Sequence, residues 1–317
     1  MGATSPNINT HVLPNIPAGV YPDHAYHDHP TTMKLIEKGE KQNGGLNYAP
    51  NRISAIDNGG TWFAGTSLSA VVSSASQTSK LLNETYNWTN MINPITLTYD
   101  ERLRAGESEF AKISMLEAKK KQAKLDHMNN IAHGVMVSTG SANEPYGLSV
   151  YINPASTFGG VSPSNDADWV SKTVTAASIL SGPSMLQNAW QACLWNSHRP
   201  DLIPTTQVLF SRCANMFEQT IHYQDTGKSI NRGIDAINYK GASLYMDRDL
   251  ADDQLWMLCS DVLHLKQSTL AFMKMKTPDE PTAGTDIHLS NVGYILSSFI
   301  FGADERRVAG GYTSLTI

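Results

Sequence analysis

The sequence predicts an α+β protein, and three contrasts along its 317 residues support that class. Residues 59–99 are rich in Ser and Thr and β-prone, and their only charges are Lys80 and Glu84. Residues 100–132 are instead charged helix formers without proline. Beyond residue 134, short apolar strand patterns alternate with helical patterns and turns, which indicates a mixed domain.

The composition limits the possible function classes. The length allows one large domain or two smaller ones, each with a hydrophobic core. A net charge of −5 argues against a nucleic-acid binder that depends on a basic face. It leaves open a container whose inner wall tolerates nucleic acid. Three cysteines, Cys193, Cys213 and Cys259, have no CxxC spacing, so we expect buried reduced thiols. We expect no membrane span and no secretory signal.

Residues 1–57 are predicted to form an extended N-terminal arm. This segment contains six prolines, which disfavour helices and central strands. Only residues 32–41 have a helical pattern. We expect the arm to be ordered against neighbouring molecules, with disorder as the alternative.

Residues 58–99 are predicted to form an extended β-hairpin loop. The outgoing strand has a loose period of two, residues 73–79 suit the tip, and residues 82–99 return as β structure. The pair Asn93-Pro94 indicates a bend or an edge position. An isolated hairpin is marginally stable and uncharged edges favour pairing, so its partner is expected to be another copy of the protein. The candidate inter-subunit contacts here are Trp62, Leu68, Val72, Lys80, Tyr86 and Trp88.

A long helix is predicted from about residue 105 to 132. Its apolar face is interrupted in the middle by Glu117 and Lys121, an i,i+4 pair in the favourable order. Contacts at both ends of the helix, rather than burial along one core, would explain this interruption. Glu117 and Lys121 are therefore further candidates for contact between subunits.

The remaining elements follow from periodicity and turn signals. Two helices are expected at 183–196 and 210–221, and a hairpin turns at Lys240-Gly241. The predicted strands are 135–137, 148–152, 202–209, 234–239, 242–246, 255–265 (a strand or a pair), 292–301 and 307–315.

No catalytic constellation is evident, so the chain is not predicted to be an enzyme. His24, His27 and His29 have a spacing that could hold zinc or nickel, but a proline-rich arm offers no fixed geometry. Solvated or interface histidines are the favoured interpretation. The acidic run Asp247, Asp249, Asp252 and Asp253 lacks the glycine and the final Glu of a calcium loop. No catalytic, cofactor-binding or metal-binding residue is predicted.

The order of these parts, together with short motifs spread along the chain, resembles the major capsid protein of tailed bacteriophages, which has the Hong Kong 97-type fold. Each motif alone is weak, but their order and spacing are fairly specific. The motifs are Tyr86-Asn87-Trp88, the run 95–101, Arg104-Ala105-Gly106, Phe158-Gly159-Gly160-Val161 with Trp169, the run 199–205, and the run 237–241 followed by Asp247-Arg248-Asp249.

The resemblance implies five regions. They are an N-terminal arm (1–57), an extended β-hairpin loop (58–99), a spine helix of a peripheral domain (100–134), an axial domain (135–265) and closing strands of the peripheral domain (266–317). It implies a structural subunit that assembles as hexamers and pentamers into an icosahedral head around double-stranded DNA. A separate scaffolding protein and a portal are the expected partners, and decoration proteins stay open. The location would be the virion, and the host cytoplasm during assembly.

Two alternatives remain at this point. The first is an encapsulin-like nanocompartment shell protein, which encloses an enzyme cargo instead of a genome. The second is a metal-dependent enzyme that uses the N-terminal histidine cluster.

Overall fold

The computed structural model describes residues 28–42, 51–53, 81–98, 109–141, 143–164, 169–175, 182–218, 236–276, 290–313 and 315. Its helices are α1 (Pro30–Lys38), α2 (Glu109–Val137), α3 (Leu148–Ile152), α4 (Pro183–Ala192) and α5 (Gln207–Glu218). Its strands are β1 (Lys41–Gln42), β2 (Asn51–Ile53), β3 (Leu81–Asn83), β4 (Thr89–Thr98), β5 (Lys172–Thr175), β6 (Leu202–Thr205), β7 (Ala236–Tyr239), β8 (Ala242–Met246), β9 (Leu255–Met257), β10 (Leu263–Ser268), β11 (Lys274–Lys276), β12 (Ser290–Ala303) and β13 (Gly310–Thr313).

The first sheet is organised around the long strand β12. One edge of β12 pairs antiparallel with β4, and the other pairs with β10 and β11. The short strand β1 extends the sheet by pairing parallel with β10. Helix α2 packs on one face, where Ala123 contacts Ile95 of β4 and Ile295 of β12 in a small buried cluster. The helix and the sheet therefore share a buried interface.

The second sheet has six strands in the order β5-β13-β9-β6-β8-β7. Helices α4 and α5 cover it, and their apolar faces join its inner residues in one buried cluster. The hairpin from β7 to β8 turns through Lys240 and Gly241, both with positive φ, as a tight two-residue turn requires. The chain passes between the two sheets three times, from β4 to β5 by way of α2 and α3, from β9 to β10, and from β12 to β13.

Cys193 and Cys213 lie in the cluster under α4 and α5, and Cys259 lies in the main core. All three are buried free thiols, as predicted. Burial raises the pKa of Cys193 and of Cys213 to about 12, so both stay protonated and unreactive at neutral pH.

Several secondary-structure predictions hold. The helix in the N-terminal segment, the helix that begins at Pro183 and the Lys240-Gly241 hairpin are all present. The stretch 255–265 forms two strands, and strands β12 and β13 close the chain. Helix α5 starts earlier than predicted, at Gln207, so the preceding strand ends at Thr205 rather than 209.

Two predicted strands are helical. Residues 135–137 continue α2 through Gly134, because Val135 and Met136 are fully buried there, and this burial outweighs a helical glycine that costs about 1 kcal/mol. Residues 148–152 form α3, whose buried residues Leu148, Tyr151 and Ile152 have the i, i+3, i+4 spacing of a helical face.

The N-terminal segment also differs from the prediction. Residues 28–42 pack within their own chain: α1 buries Met33, Leu35 and Ile36 in the main core, and β1 extends the first sheet. The expectation that the arm is ordered only against neighbours is therefore wrong for this stretch. The other residues of the predicted arm that the structure describes, 51–53, form strand β2.

The predicted returning strand of the hairpin has two separate roles. Residues 81–83 pair with β2, in a two-stranded sheet of their own. Residues 89–98 form β4 and pair with β12 of the same chain over ten residues. The idea that residues 59–99 find no partner within the monomer is therefore wrong for β4. Residues 54–80, which include the predicted tip, lie outside the described residues.

Candidate functional site

Strand β4 presents an apolar outer face at an edge of the first sheet. Ile92 and Pro94 point away from α2, and Pro94 lies opposite Tyr294 while Ile92 lies opposite Leu296. Ile92 is 61% exposed and Tyr294 is 37% exposed. Within the described residues β4 pairs only with β12, so it is an edge strand, and a proline there costs no ladder hydrogen bond. We call Ile92, Pro94, Tyr294 and Leu296 the outer strand patch.

The inner face of the same strands is fixed by a buried histidine of α2. His127 Nδ1 donates to Asn93 Oδ1 at 2.8 Å, and Ser297 Oγ donates to His127 Nε2 at 2.7 Å. Ser297 Oγ in turn accepts from the backbone N–H of Met273 at 3.0 Å. Each nitrogen of the neutral imidazole is thereby satisfied, and burial lowers the pKa of His127 to about 4. The spine helix and strands β4 and β12 are thus tied together by polar contacts.

Tyr86, a predicted inter-subunit contact, is a core residue. Its side chain is fully buried, and its hydroxyl lies 3.0 Å from both Glu84 Oε2 and the backbone oxygen of Ala303. The ring passes between Gly159 and Gly302, where an added Cβ would come within 3 Å of Tyr86 atoms. A side chain without exposed surface cannot touch a second subunit, so this prediction is corrected.

Trp88 is also held by its own chain. It is partly buried and packs against the main core. It lines a cavity of about 230 Å³ together with Asn90, Tyr146 and Phe301. The expectation that its ring has no core within its own chain is therefore wrong, and contact between Trp88 and a neighbouring subunit stays a prediction.

The other predicted contact residues fall into two groups. Glu117 and Lys121 are exposed on α2, whereas Leu116, Met128 and Ile131 of the same helix are buried. They remain available to a neighbouring subunit. The remaining four, Trp62, Leu68, Val72 and Lys80, lie outside the described residues.

A second polar cluster joins three chain segments. His29 Nδ1, just before α1, lies 2.7 Å from Asp249 Oδ2, and His29 Nε2 lies 3.1 Å from Asn129 Oδ1 of α2. His133, one turn further along α2, places Nδ1 3.6 Å from Asp249 Oδ1. His29 is buried, Asp249 is nearly so, and His133 is exposed. His24 and His27 lie outside the described residues.

Asp247 belongs to the same cluster and holds the start of α1. Its Oδ2 accepts from the Thr31 hydroxyl at 2.6 Å and from the Thr31 backbone N–H at 3.2 Å, and Tyr245 donates to that hydroxyl at 3.0 Å. Burial raises the pKa of Asp247 to about 6. For His29, burial lowers the pKa, but the hydrogen bond and charge of Asp249 outweigh it, so the net pKa is raised.

Sequence reasoning missed both clusters. It considered Asp247 and Asp249 only as parts of an incomplete calcium loop and did not connect His29 with them, because the contact spans 220 residues and leaves no local signal. The outer strand patch was also missed, because residues 89–96 do not alternate between apolar and polar and so do not show which face is buried. No helix within the part of the chain that the structure describes has the length and apolar character needed to cross a membrane.

No protein-family model and no curated protein matches the chain. Solved structures do match it along nearly its whole length. A chain of the cyanophage A-1(L) capsid asymmetric unit is 11% identical, with 96% of both chains covered and a TM-score of 0.60. The capsid of Myoviridae phage XM1 gives 10% identity over 99% of this chain and 100% of that one, with a TM-score of 0.56. The capsid of an empty GTA particle gives 11% identity, 96% and 95% coverage, and a TM-score of 0.58.

The chain therefore has the fold of phage capsid proteins, and the predicted α+β capsid fold is confirmed. Neither the nanocompartment shell nor the metal-dependent enzyme gains support from these structures.

Proposed function

We propose that this protein is the major capsid protein of a tailed phage, a structural subunit that assembles as hexamers and pentamers into an icosahedral head. One observation carries this proposal: the fold of capsid chains extends over 96% of this chain and of the cyanophage chain. Coverage of both chains means that the two share their whole architecture rather than one common motif.

The outer strand patch supports self-assembly and indicates where a second copy binds. Ile92 and Tyr294 are large apolar side chains exposed together on one sheet face, whereas such residues on a monomer surface are usually scattered singly. The opposite face is already covered by α2. Contact with another subunit would remove this apolar surface from water, at about 25 cal/mol per Å².

The domain assignment is proposed with adjusted boundaries. Strands β2 and β3 form a separate antiparallel pair that brackets residues 54–80, so we assign the extended loop to 51–83 rather than 58–99. Residues 89–98 go to the peripheral domain, together with α2 and strands β1, β10, β11 and β12. The axial domain is the six-stranded sheet with α4 and α5, and β13 completes that sheet.

The enclosed genome would contact the shell without base recognition. Lys119, Lys120, Lys121 and Lys124 place four lysines within six residues of α2, enough for scattered phosphate contacts in a chain of net charge −5. A separate scaffolding protein and a portal remain the expected partners, and decoration proteins an open one. The location is the virion, after assembly in the host cytoplasm.

The test is electron microscopy of the protein expressed together with its flanking genes. We expect closed shells of uniform size that sediment well ahead of free subunits. Dispersed subunits or amorphous aggregates under these conditions would refute the capsid role.

Two matched variants test the outer strand patch separately. Ile92→Asp should sharply reduce shell yield, while the unfolding free energy of the subunit stays within about 0.5 kcal/mol of wild type, as for other surface substitutions. Asn90→Asp adds the same charge on the same face of β4 without removing an apolar side chain, and should assemble normally. If both variants give wild-type shells, the patch is not an interface, and the capsid role itself stands.

A further inference from the structure

The pair His29–Asp249 brings two hydrogen-bond acceptors together. Asn129 Oδ1 can only accept, so His29 Nε2 carries the hydrogen, and a neutral imidazole then has a bare lone pair at Nδ1. That lone pair points at Asp249 Oδ2, 2.7 Å away. Neither atom has another hydrogen-bond partner, and both are buried. A positive charge is required between them, and it is either a proton or a metal ion.

Two further side chains, Asp247 and His133, lie close to the His29–Asp249 pair. An imidazolium–carboxylate ion pair would need neither of them. Ligand atoms of His29, Asp247 and Asp249 all lie within 4.8 Å of one another. His133 adds an imidazole nitrogen 3.6 Å from Asp249 Oδ1. We propose that His29, Asp247, Asp249 and His133 form a structural site for a divalent transition metal such as Zn²⁺.

The distances suit such an ion after a small adjustment. Zinc holds nitrogen and oxygen ligands at about 2.0–2.2 Å, so neighbouring ligand atoms in a tetrahedron lie about 3.4 Å apart. The His133–Asp249 separation already fits, and the His29–Asp249 pair needs to open by about 0.7 Å. Because His133 is exposed, an ion has a path into an otherwise buried cluster.

The ligand types select the class of metal. Two imidazoles with two carboxylates suit zinc, nickel or cobalt, whereas calcium and magnesium prefer all-oxygen sites. Asn129 fixes the orientation of the His29 ring, as outer partners of metal-bound histidines do. The ion would staple the start of α1 to α2 and to the loop after β8. This site does not depend on the proposed capsid role.

The experiment uses full-length subunits stripped with a chelator and then titrated with Co²⁺ or Zn²⁺. We expect one ion per chain, the visible absorption of tetrahedral Co²⁺, and a Zn²⁺-dependent rise in Tm. Asp249→Asn should abolish all three. His133→Ala changes an exposed residue that the fold does not need, and should weaken Co²⁺ binding at least about ten-fold.

Asp261→Asn is the matched control. Asp261 is an exposed carboxylate that pairs with Lys38 of the same N-terminal segment but lies outside the cluster, so its loss should leave the metal response unchanged. If wild-type protein binds no stoichiometric metal, the cluster is an imidazolium–carboxylate pair and the proposal is wrong. An unchanged Zn²⁺ response in Asp249→Asn would place the ion elsewhere and overturn it equally.

Discussion

The buried histidine of the spine helix makes the stability of the subunit dependent on pH. His127 has no exposed surface, and its pKa is lowered from 6.5 to about 4 by burial. Both ring nitrogens are already occupied in the neutral form, and a proton on Nε2 would face the hydroxyl hydrogen of Ser297. Protonation of His127 in the folded state would therefore bury a positive charge and break the hydrogen bond from Ser297.

The sign and size of the effect follow from linkage. A folded-state pKa below the unfolded value means that the contribution of His127 is fully present above pH 6.5 and is lost as the pH falls toward 4. The expected loss of unfolding free energy is about 2 kcal/mol between pH 7 and 5, and about 3 kcal/mol by pH 4. Asp247, whose pKa is raised to about 6, acts in the opposite direction, since its folded form gains stability as it is protonated.

The assay is urea denaturation of unassembled subunits with chelator present, at pH 7 and pH 5. Asp247 and His29 titrate in wild type and variant alike, so the comparison with His127→Gln isolates His127. We expect the variant to be less stable at pH 7 but to lose about 2 kcal/mol less than wild type on acidification. His133→Gln, an exposed histidine on the same helix, should behave as wild type. An equal loss in His127→Gln and wild type would refute the reasoning.

Two further predictions concern packing and buried charge. Gly302→Ala should lower the unfolding free energy by about 1–3 kcal/mol, because its Cβ would meet the Tyr86 ring at 2.9 Å; Gly134→Ala, in the open interior of α2, should instead raise it by about 0.5–1 kcal/mol. Chemical denaturation of both variants measures this, and a harmless Gly302→Ala would contradict the packing of Tyr86. Arg306→Met should cost at least about 3 kcal/mol, because the buried guanidinium donates to four backbone carbonyls around the end of α3 that would lose their partner. A Tm equal to that of wild type would show that water replaces those bonds.

Local patterns were sufficient for much of the fold. The spine helix, the helix at Pro183 and the Lys240-Gly241 hairpin follow from periodicity, proline position and turn chemistry, all of which act within a few residues. The wrong secondary-structure predictions lie where contacts between residues far apart in the sequence determine the conformation. Residues 148–152 could be read as a strand, but their carbonyls are bound by Arg306, more than 150 residues away.

For the candidate contact residues, too, local patterns were informative and contacts between distant residues could not be predicted. Trp88 and Tyr86 were predicted to contact another subunit, but the chain itself supplies partners for both through β12 and the loop that holds Gly159. No spacing in the sequence reveals that β12 lies beside β4. The edge position of Pro94 could be predicted, because a proline cannot donate to a ladder and this limits where a strand can lie.

The N-terminal segment, residues 28–42, contacts both sheets and so fixes their relative position. Its first residues bind the loop after β8: Thr31 donates to Asp247, and His29 contacts Asp249. Its last residues bind the other sheet, where β1 pairs with β10 and Gln267 donates to the carbonyl of Ile36. A segment anchored at both ends resists rotation of one sheet against the other more strongly than the three chain crossings alone.

That resistance has a consequence for assembly. If the chain forms the proposed shell, a subunit with both sheets locked would present the outer strand patch and the edges of the second sheet at fixed relative angles, and the geometry of the shell would be set before subunits meet. Shape change during assembly would then fall first on the β2–β3 pair, which belongs to neither of the two sheets. Residues 28–42 therefore belong to the folded part of the chain, although the prolines around them led to the prediction of an extended arm.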